Sequence, residues 1–197
     1  MTKGRLEAFT DGVLAIIITI MVLEMKVPHG GGFEDLRPLL PVFGSYVLSF
    51  IYIAIYWNNH HHMMHTVKHV TGSILWANMH LLFWLSLIPF VTGCMGENHF
   101  TSASVFLYGV VLLCAAIAYF ILQRLIIKSH GKESILANAL GKDIKGKISP
   151  LLYVIGIVGA FISVWISGAM FVLVAIMWLI PDRRIENKLR ENHPNNA

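Results

Sequence analysis

Charged residues are scarce in this sequence. Aspartate, glutamate, lysine and arginine make up 13% of the 197 residues, whereas hydrophobic residues make up 56%, and the mean hydropathy is +0.65. So little charge excludes an ordinary soluble domain, because a soluble fold of this size needs more polar surface to cover its apolar interior. The composition predicts that residues 1–197 form a single all-α integral membrane domain that crosses the bilayer several times.

The sequence also lacks the motifs on which most enzymes depend. The two cysteines, Cys94 and Cys114, are too few and too far apart for a disulfide framework or a metal-ligand set. Nucleophile motifs, glycine-rich phosphate loops, HExxH and paired carboxylates within one apolar segment are all absent. We therefore predict no enzymatic activity, no bound cofactor and no nucleic-acid partner. A potassium-filter sequence of the TVGYG type is absent as well.

Long apolar runs separated by polar turns predict six membrane spans. The first run ends at a glycine-rich turn, and the second passes without a break into a run of histidines. Two short apolar blocks near the C-terminus are separated by Ser167-Gly168, which we interpret as a tight turn. The predicted spans are residues 5–25, 39–62, 70–94, 102–127, 150–166 and 169–181, with a loop at 128–149 and a tail at 182–197.

The basic residues are distributed unevenly between the two sides of these spans. All but two of the 15 lysines and arginines fall on one side, and the exceptions are Lys26 and Arg37. Because basic residues are retained in the cytoplasm, this side is predicted to be cytoplasmic. Both termini, the loop and the tail are then cytoplasmic.

The first predicted span has an arginine, a glutamate and an aspartate near its N-terminal end. At 100° per residue, one stripe of this helix is mostly apolar with a single hydroxyl group, and Glu7 and Asp11 lie on a different face. A carboxylate within the membrane requires a polar partner. If the first two spans are antiparallel neighbours, Asp11 faces Asn59, His60 or His61. A purely structural pair fits this arrangement equally well. The stripe comprises Arg5, Phe9, Gly12, Ile16, Thr19, Ile20 and Leu23.

A dense run of histidines follows the second span. Three of them, His61, His65 and His69, recur every four residues and are predicted to share a helix face. Imidazole binds metals and titrates near neutrality, so one hypothesis is a histidine-dependent metal or proton transporter. The other interpretation is a polar helix end whose histidines form hydrogen bonds with their neighbours. It is favoured because a metal site usually needs a second ligand cluster, and the sequence contains none.

Two segments of the chain resemble a known family. The start of the first helix, Arg5-x-x-x-Phe9-Thr10-Asp11, is similar to the RxxxFSD signature of the transmembrane protein 175 family, with threonine in place of serine. The second span contains the further similar segment Tyr56-Trp57-Asn58-Asn59-His60-His61. The human family member is an endosomal and lysosomal potassium channel, and prokaryotic members carry one six-helix unit per chain.

The resemblance implies a homotetramer in a prokaryotic inner membrane, whose four first helices line a central pore for potassium and other monovalent cations. It places the bottleneck at Ile16, a threonine layer at Thr19 and a further apolar ring at Leu23, and Ile20 shares their stripe. Such a hydrophobic constriction implies a modest preference for potassium. A scaffold without any ion flux is the remaining alternative. The residues assigned to the signature and to helix packing are Arg5, Phe9, Thr10, Asp11, Trp57, Asn59, His60 and His61.

Overall fold

The computed structural model describes residues 1–131, 133–140 and 143–179, which fold mainly into α-helices. This confirms the all-α prediction. A short 3-10 helix, Phe33–Leu39, leads directly into the second α-helix. The α-helices are α1 (Lys3–Leu23), α2 (Leu40–His65), α3 (Gly72–Ser86), α4 (Ile88–Glu97), α5 (Ser102–His130), α6 (Ile135–Leu140), α7 (Ile144–Gly159) and α8 (Val164–Leu179).

Within residues 1–131, 133–140 and 143–179, four helical segments are long and apolar enough to cross a membrane, and the chain is a multi-pass membrane protein. The predicted number was six, but α7 contains 16 residues and the described part of α8 also contains 16. At about 1.5 Å per residue, 16 residues span about 24 Å, less than the roughly 30 Å of a hydrocarbon core. The count of six therefore stays a prediction. The four segments are Lys3–Leu23, Phe33–His65, Gly72–Glu97 and Ser102–His130.

Helices α1 and α2 run in opposite directions, and so do α7 and α8. Asp11 in the first half of α1 accepts a hydrogen bond from Trp57 in the second half of α2. Trp178 at the end of α8 likewise donates its indole N–H to Ser149 Oγ, near the start of α7, at 2.8 Å. This is the arrangement expected for helices joined by short connections.

The predicted third span, residues 70–94, consists of two helices. Helices α3 and α4 meet at Leu87, two residues before Pro89. Proline lacks an amide hydrogen and its ring clashes with the preceding turn, so a continuous helix is interrupted there. Beyond the break, Thr92 Oγ1 of α4 lies 2.6 Å from Ser49 Oγ of α2. This contact holds the second half of the segment against the bundle.

The predicted turn at Ser167-Gly168 is wrong, because the turn between α7 and α8 comprises residues 160–163. Helices α7 and α8 therefore begin earlier in the chain than the spans predicted at residues 150–166 and 169–181. Ser167 is buried within α8, where its hydroxyl donates to the carbonyl oxygen of Gly156 in α7 at 2.6 Å. A serine is tolerated in a helix when its hydroxyl group has such a partner. The hydroxyl therefore joins the two helices and does not mark a turn.

The predicted loop at residues 128–149 is partly helical, because α5, α6 and α7 all extend into it. Asp143 precedes α7 and accepts a hydrogen bond from the backbone N–H of Gly146 at 3.1 Å. Such a contact satisfies one of the free amide groups at a helix start, so a helix begins inside this charged segment. The predicted tail, residues 182–197, lies outside the described residues.

Two glycines allow α5, α7 and α8 to pack closely. A methyl group added at Gly109 of α5 or Gly156 of α7 would lie 2.7 Å from the ring of Phe171 in α8. Phe171 is itself fully buried, so its ring has little room to move. Small residues of this kind let membrane helices approach each other closely.

We expect Gly156→Ala to lower the free energy of unfolding by about 1–3 kcal/mol, because overpacking strains the contact with Phe171. The measurement is the thermal midpoint of the detergent-solubilised protein. Gly168→Ala in α8 is the matched control, because an added methyl group there has no neighbour within 4 Å. Equal midpoints for the two variants would contradict the assigned packing.

Candidate pore-lining helix and its anchoring network

Helix α1 has two faces in different surroundings. One face is buried against α2, α3 and α4 and carries Leu6, Thr10, Leu14, Ile17 and Met21. The opposite face is the stripe predicted from the sequence, and it is exposed along the whole helix. The exposed fraction is 58% for Ile16 and 81% for Leu23. The stripe of α1 is therefore exposed in the single chain. All of its members are exposed: Arg5, Phe9, Gly12, Ile16, Thr19, Ile20 and Leu23.

Thr19 supplies the single hydroxyl group of this exposed stripe. Its Oγ1 donates to the carbonyl oxygen of Ala15 at 2.7 Å and lies 3.0 Å from that of Ile16. Because the backbone engages the hydroxyl hydrogen, the oxygen lone pairs are available to a group outside the helix. The exposed side of Thr19 can thus accept a hydrogen bond or coordinate a cation.

Behind α1, three buried side chains from three helices form a hydrogen-bonded row. Asn78 of α3 lies at its centre, and its Nδ2 donates to Thr10 Oγ1 of α1 at 2.9 Å. Asn78 Oδ1 lies 2.8 Å from His60 Nε2 of α2. An amide oxygen only accepts, so His60 Nε2 carries the hydrogen in this bond. The row fastens α1 to α2 and α3 on the side away from its exposed stripe.

The carboxylate of Asp11 has its partner on α2, as predicted, but on a different residue. Trp57 donates its indole N–H to Asp11 Oδ1 at 3.0 Å. The indole ring also stacks on the His61 imidazole, with ring centres 5.9 Å apart. Both Asp11 and Trp57 are exposed in the single chain. The pair therefore lies at the edge of the bundle.

The three expected partners of Asp11 bond elsewhere. The rotation of α2 about its own axis turns Trp57 towards α1, and α2 carries the other side chains to different neighbours. The predicted partner residues were wrong for this reason, although the predicted helix was right. Asn59 Nδ2 donates to Ile55 O, His60 Nε2 to Asn78 Oδ1, and His61 Nε2 lies 3.1 Å from His65 Nε2.

The remaining histidines do not favour the transporter hypothesis. In residues 1–131, 133–140 and 143–179, no three histidine, cysteine, aspartate or glutamate side chains are grouped so as to hold a metal ion. His69 follows the end of α2, so the predicted common face of His61, His65 and His69 is wrong. The ring of His69 instead stacks on His130 of α5, with centres 4.5 Å apart.

Sequence reasoning missed the central position of Asn78. Asn78 is a polar residue within the apolar run predicted as the third span, and an interhelical hydrogen bond is the favoured interpretation of such a residue. The burial cost of an amide group was the available signal, because a buried asparagine in a membrane helix needs partners. Which helices supply those partners depends on how α1 and α2 pack against α3.

An ion pair lies beyond the C-terminal end of α1. Lys26, after α1, has its Nζ 2.9 Å from Glu97 Oε1 at the end of α4. The hydrogen bond and the charge of Glu97 raise the pKa of the Lys26 ammonium group. Both side chains are well exposed, so the pair adds little stability and mainly brings the two helix ends together.

Known proteins are similar to this chain in sequence and in fold. The family model described as "Endosomal/lysosomal potassium channel TMEM175" matches residues 5–89, the part that contains α1, α2 and α3. A Chryseobacterium sp. (strain P1-3) protein named as a potassium channel is 56% identical over 192 residues, covering 98% of this chain and 100% of the relative. A Chamaesiphon minutus protein named as a potassium channel is 33% identical, covering 86% of this chain and 90% of the relative.

A solved structure gives the same result. The crystal structure of a lysosomal potassium-selective channel TMEM175 homolog from Chamaesiphon minutus superposes with a TM-score of 0.79 at 30% identity. The match covers 91% of this chain and 97% of that chain. High identity over the whole length and agreement of the fold together show that this chain belongs to the TMEM175 channel family.

Proposed function

We propose that four copies of this chain assemble into a potassium-preferring cation channel whose central pore is lined by α1. The observation that carries the proposal is the exposed, mostly apolar stripe of α1 in a chain from a channel family. A 21-residue helix with one face packed in its own bundle and the other uncovered suits the centre of an oligomer. Relatives named as potassium channels support potassium as the permeant ion.

Three positions along the stripe are assigned to ion passage. Ile16 forms an apolar bottleneck that a hydrated cation crosses only by shedding water, and Leu23 forms a second apolar ring. Thr19 lies one turn from Ile16 and offers its hydroxyl lone pairs to the partly dehydrated ion. The proposed constriction consists of side chains and does not use a cage of backbone carbonyl groups, so its preference for potassium over sodium is modest. Ile20 completes the constriction.

The proposed channel lies in a prokaryotic inner membrane with six spans per chain and both termini in the cytoplasm. The uneven distribution of lysines and arginines supports this orientation. Helices α7 and α8 are the fifth and sixth spans. The bilayer surrounds the outer helices, and α1 is shielded from lipid.

Reconstituted flux tests the proposal. The full-length protein is placed in liposomes with an outward potassium gradient, and flux is compared with that under an equal sodium gradient. Native mass spectrometry measures the assembly in parallel. We expect a tetramer and a higher flux for potassium than for sodium. A monomer, or liposomes without cation flux, would overturn the proposal and favour a scaffold.

Asp11→Ala is expected to abolish the tetramer, because the carboxylate orients the exposed Trp57 ring beside α1. Trp57→Phe removes the same N–H and is expected to weaken assembly in the same direction. Light scattering after size-exclusion chromatography measures the mass. Glu24→Ala is the control, because this exposed carboxylate lies at the other end of α1. A variant that assembles normally but has altered ion selectivity would contradict the packing role of Asp11.

A further inference from the structure

A second feature lies away from the exposed stripe. A partly open cavity of about 50 Å³ lies between α2, α5, α7 and α8, and no described residue of α1 lines it. A cavity needs about 10–15 Å³ for each water molecule, so this one has room for about four small groups. Six aromatic side chains line it: Tyr52, Tyr56, Tyr119, Phe120, Tyr153 and Trp178.

Two polar side chains of the wall are left without partners. Gln123 and Tyr56 are 5% and 8% exposed, and no hydrogen bond joins either side chain to another group in the described part of the chain. In the same part, every fully enclosed side-chain nitrogen and oxygen atom is hydrogen-bonded. The amide of Gln123 and the hydroxyl of Tyr56 must therefore face open space, and the open space beside both is the cavity.

A carboxylate also lines the cavity. Asp143 is half-buried, lines the cavity and accepts one hydrogen bond from the backbone N–H of Gly146. An ionised carboxylate has about four acceptor sites, so this bond leaves others available. The faces of aromatic rings also attract cations, and the attraction strengthens when water is excluded. The wall therefore combines negative charge, ring faces and unpaired oxygen acceptors.

We propose that this cavity binds a small primary ammonium ion. An ammonium group donates up to three hydrogen bonds, which matches the oxygens of Asp143, Gln123 and Tyr56. A short alkyl chain then occupies the aromatic part of the wall. Propylammonium has four non-hydrogen atoms, which matches the available volume. The site does not depend on ion conduction, because α1 takes no part in its lining.

Calorimetry with the detergent-solubilised full-length protein tests this site, with propylammonium as the probe and constant potassium chloride. Propan-1-ol is the neutral control of similar size. We expect saturable binding of propylammonium and none of propan-1-ol. The tryptophan emission is expected to change in parallel, because Trp178 lines the cavity.

Asp143→Asn is expected to weaken binding by at least about tenfold, because it removes the charged acceptor. Asparagine caps a helix as well as aspartate does, so α7 still begins in place. Asp35→Asn is the matched control, since Asp35 accepts a similar backbone bond, from Gly32, outside the cavity. Tyr56→Phe is expected to weaken binding less, because it removes one neutral hydroxyl.

Four outcomes would overturn the proposal. The first is the absence of any saturable heat with propylammonium. The second is equal binding of propan-1-ol, which would make the cavity a general apolar site. The third is equal weakening by Asp143→Asn and Asp35→Asn, which would place the ion elsewhere on the protein. The fourth is unchanged binding by Asp143→Asn at an unchanged thermal midpoint, which would exclude Asp143 as a contact.

Discussion

Replacing Ile16 with asparagine is expected to increase cation flux through the reconstituted protein and to reduce its preference for potassium over sodium. In the proposed tetramer four isoleucine side chains converge, and the apolar ring loses its water easily. Asparagine side chains would keep the ring hydrated and allow ions to pass with more of their water. A barrier lower by roughly 1.4 kcal/mol raises the flux about tenfold.

The control for this variant is Val22→Asn. Val22 is also on α1 and 43% exposed, but it lies on the helix beside the stripe and outside it. The same amide is thereby added to the same helix without entering the proposed constriction. Potassium and sodium gradients across liposomes give both the rate and the preference. If Ile16→Asn conducts and discriminates as the unmodified protein does, Ile16 does not line the pore.

Asn78→Leu is expected to lower the free energy of unfolding by about 2–4 kcal/mol, the largest stability effect among these variants. Leucine has a similar shape, so little cavity is created. The substitution removes both hydrogen bonds of Asn78 and leaves Thr10 and His60 buried without their shared partner. Thermal unfolding of the detergent-solubilised protein, followed by tryptophan emission, measures the loss.

Two further variants show whether this loss comes from the hydrogen-bonded row. Asn98→Leu is the control, because the Asn98 side chain is exposed and donates to Cys94 O within its own turn. Thr10→Ser keeps the hydroxyl group that Asn78 Nδ2 contacts and should be tolerated, whereas Thr10→Val should lower the midpoint. A midpoint for Asn78→Leu that matches that of Asn98→Leu would show that the row does not stabilise the fold.

The exposed stripe of α1 was predictable from the sequence because a helix is a rigid rod. Once residues 3–23 are helical, the angles between Arg5, Ile16 and Leu23 follow from 3.6 residues per turn. The face opposite the stripe is covered by α2, α3 and α4. The assignment of the stripe to a pore stays a prediction.

The helix boundaries near the C-terminus were less predictable. Ser167-Gly168 looked like a turn because small polar residues usually interrupt apolar runs. In the fold the hydroxyl of Ser167 bonds to α7, so the helix continues through it and the chain turns at residues 160–163. Before the packing of the helices is known, the sequence does not distinguish a serine that bonds to another helix from a serine that marks a turn.

The sequence by itself determined the membrane class and the periodicity of α1, because these follow from local composition and helical geometry, and its resemblance to known signature segments indicated the family. Only the tertiary structure decided the partners of the buried polar groups. Asp11 meets Trp57, and Thr10 meets His60 through Asn78, because the rotation and depth of each helix are set by packing against several others. The cavity beside Gln123 arises in the same way, from the packing of α2 and α5 against α7 and α8.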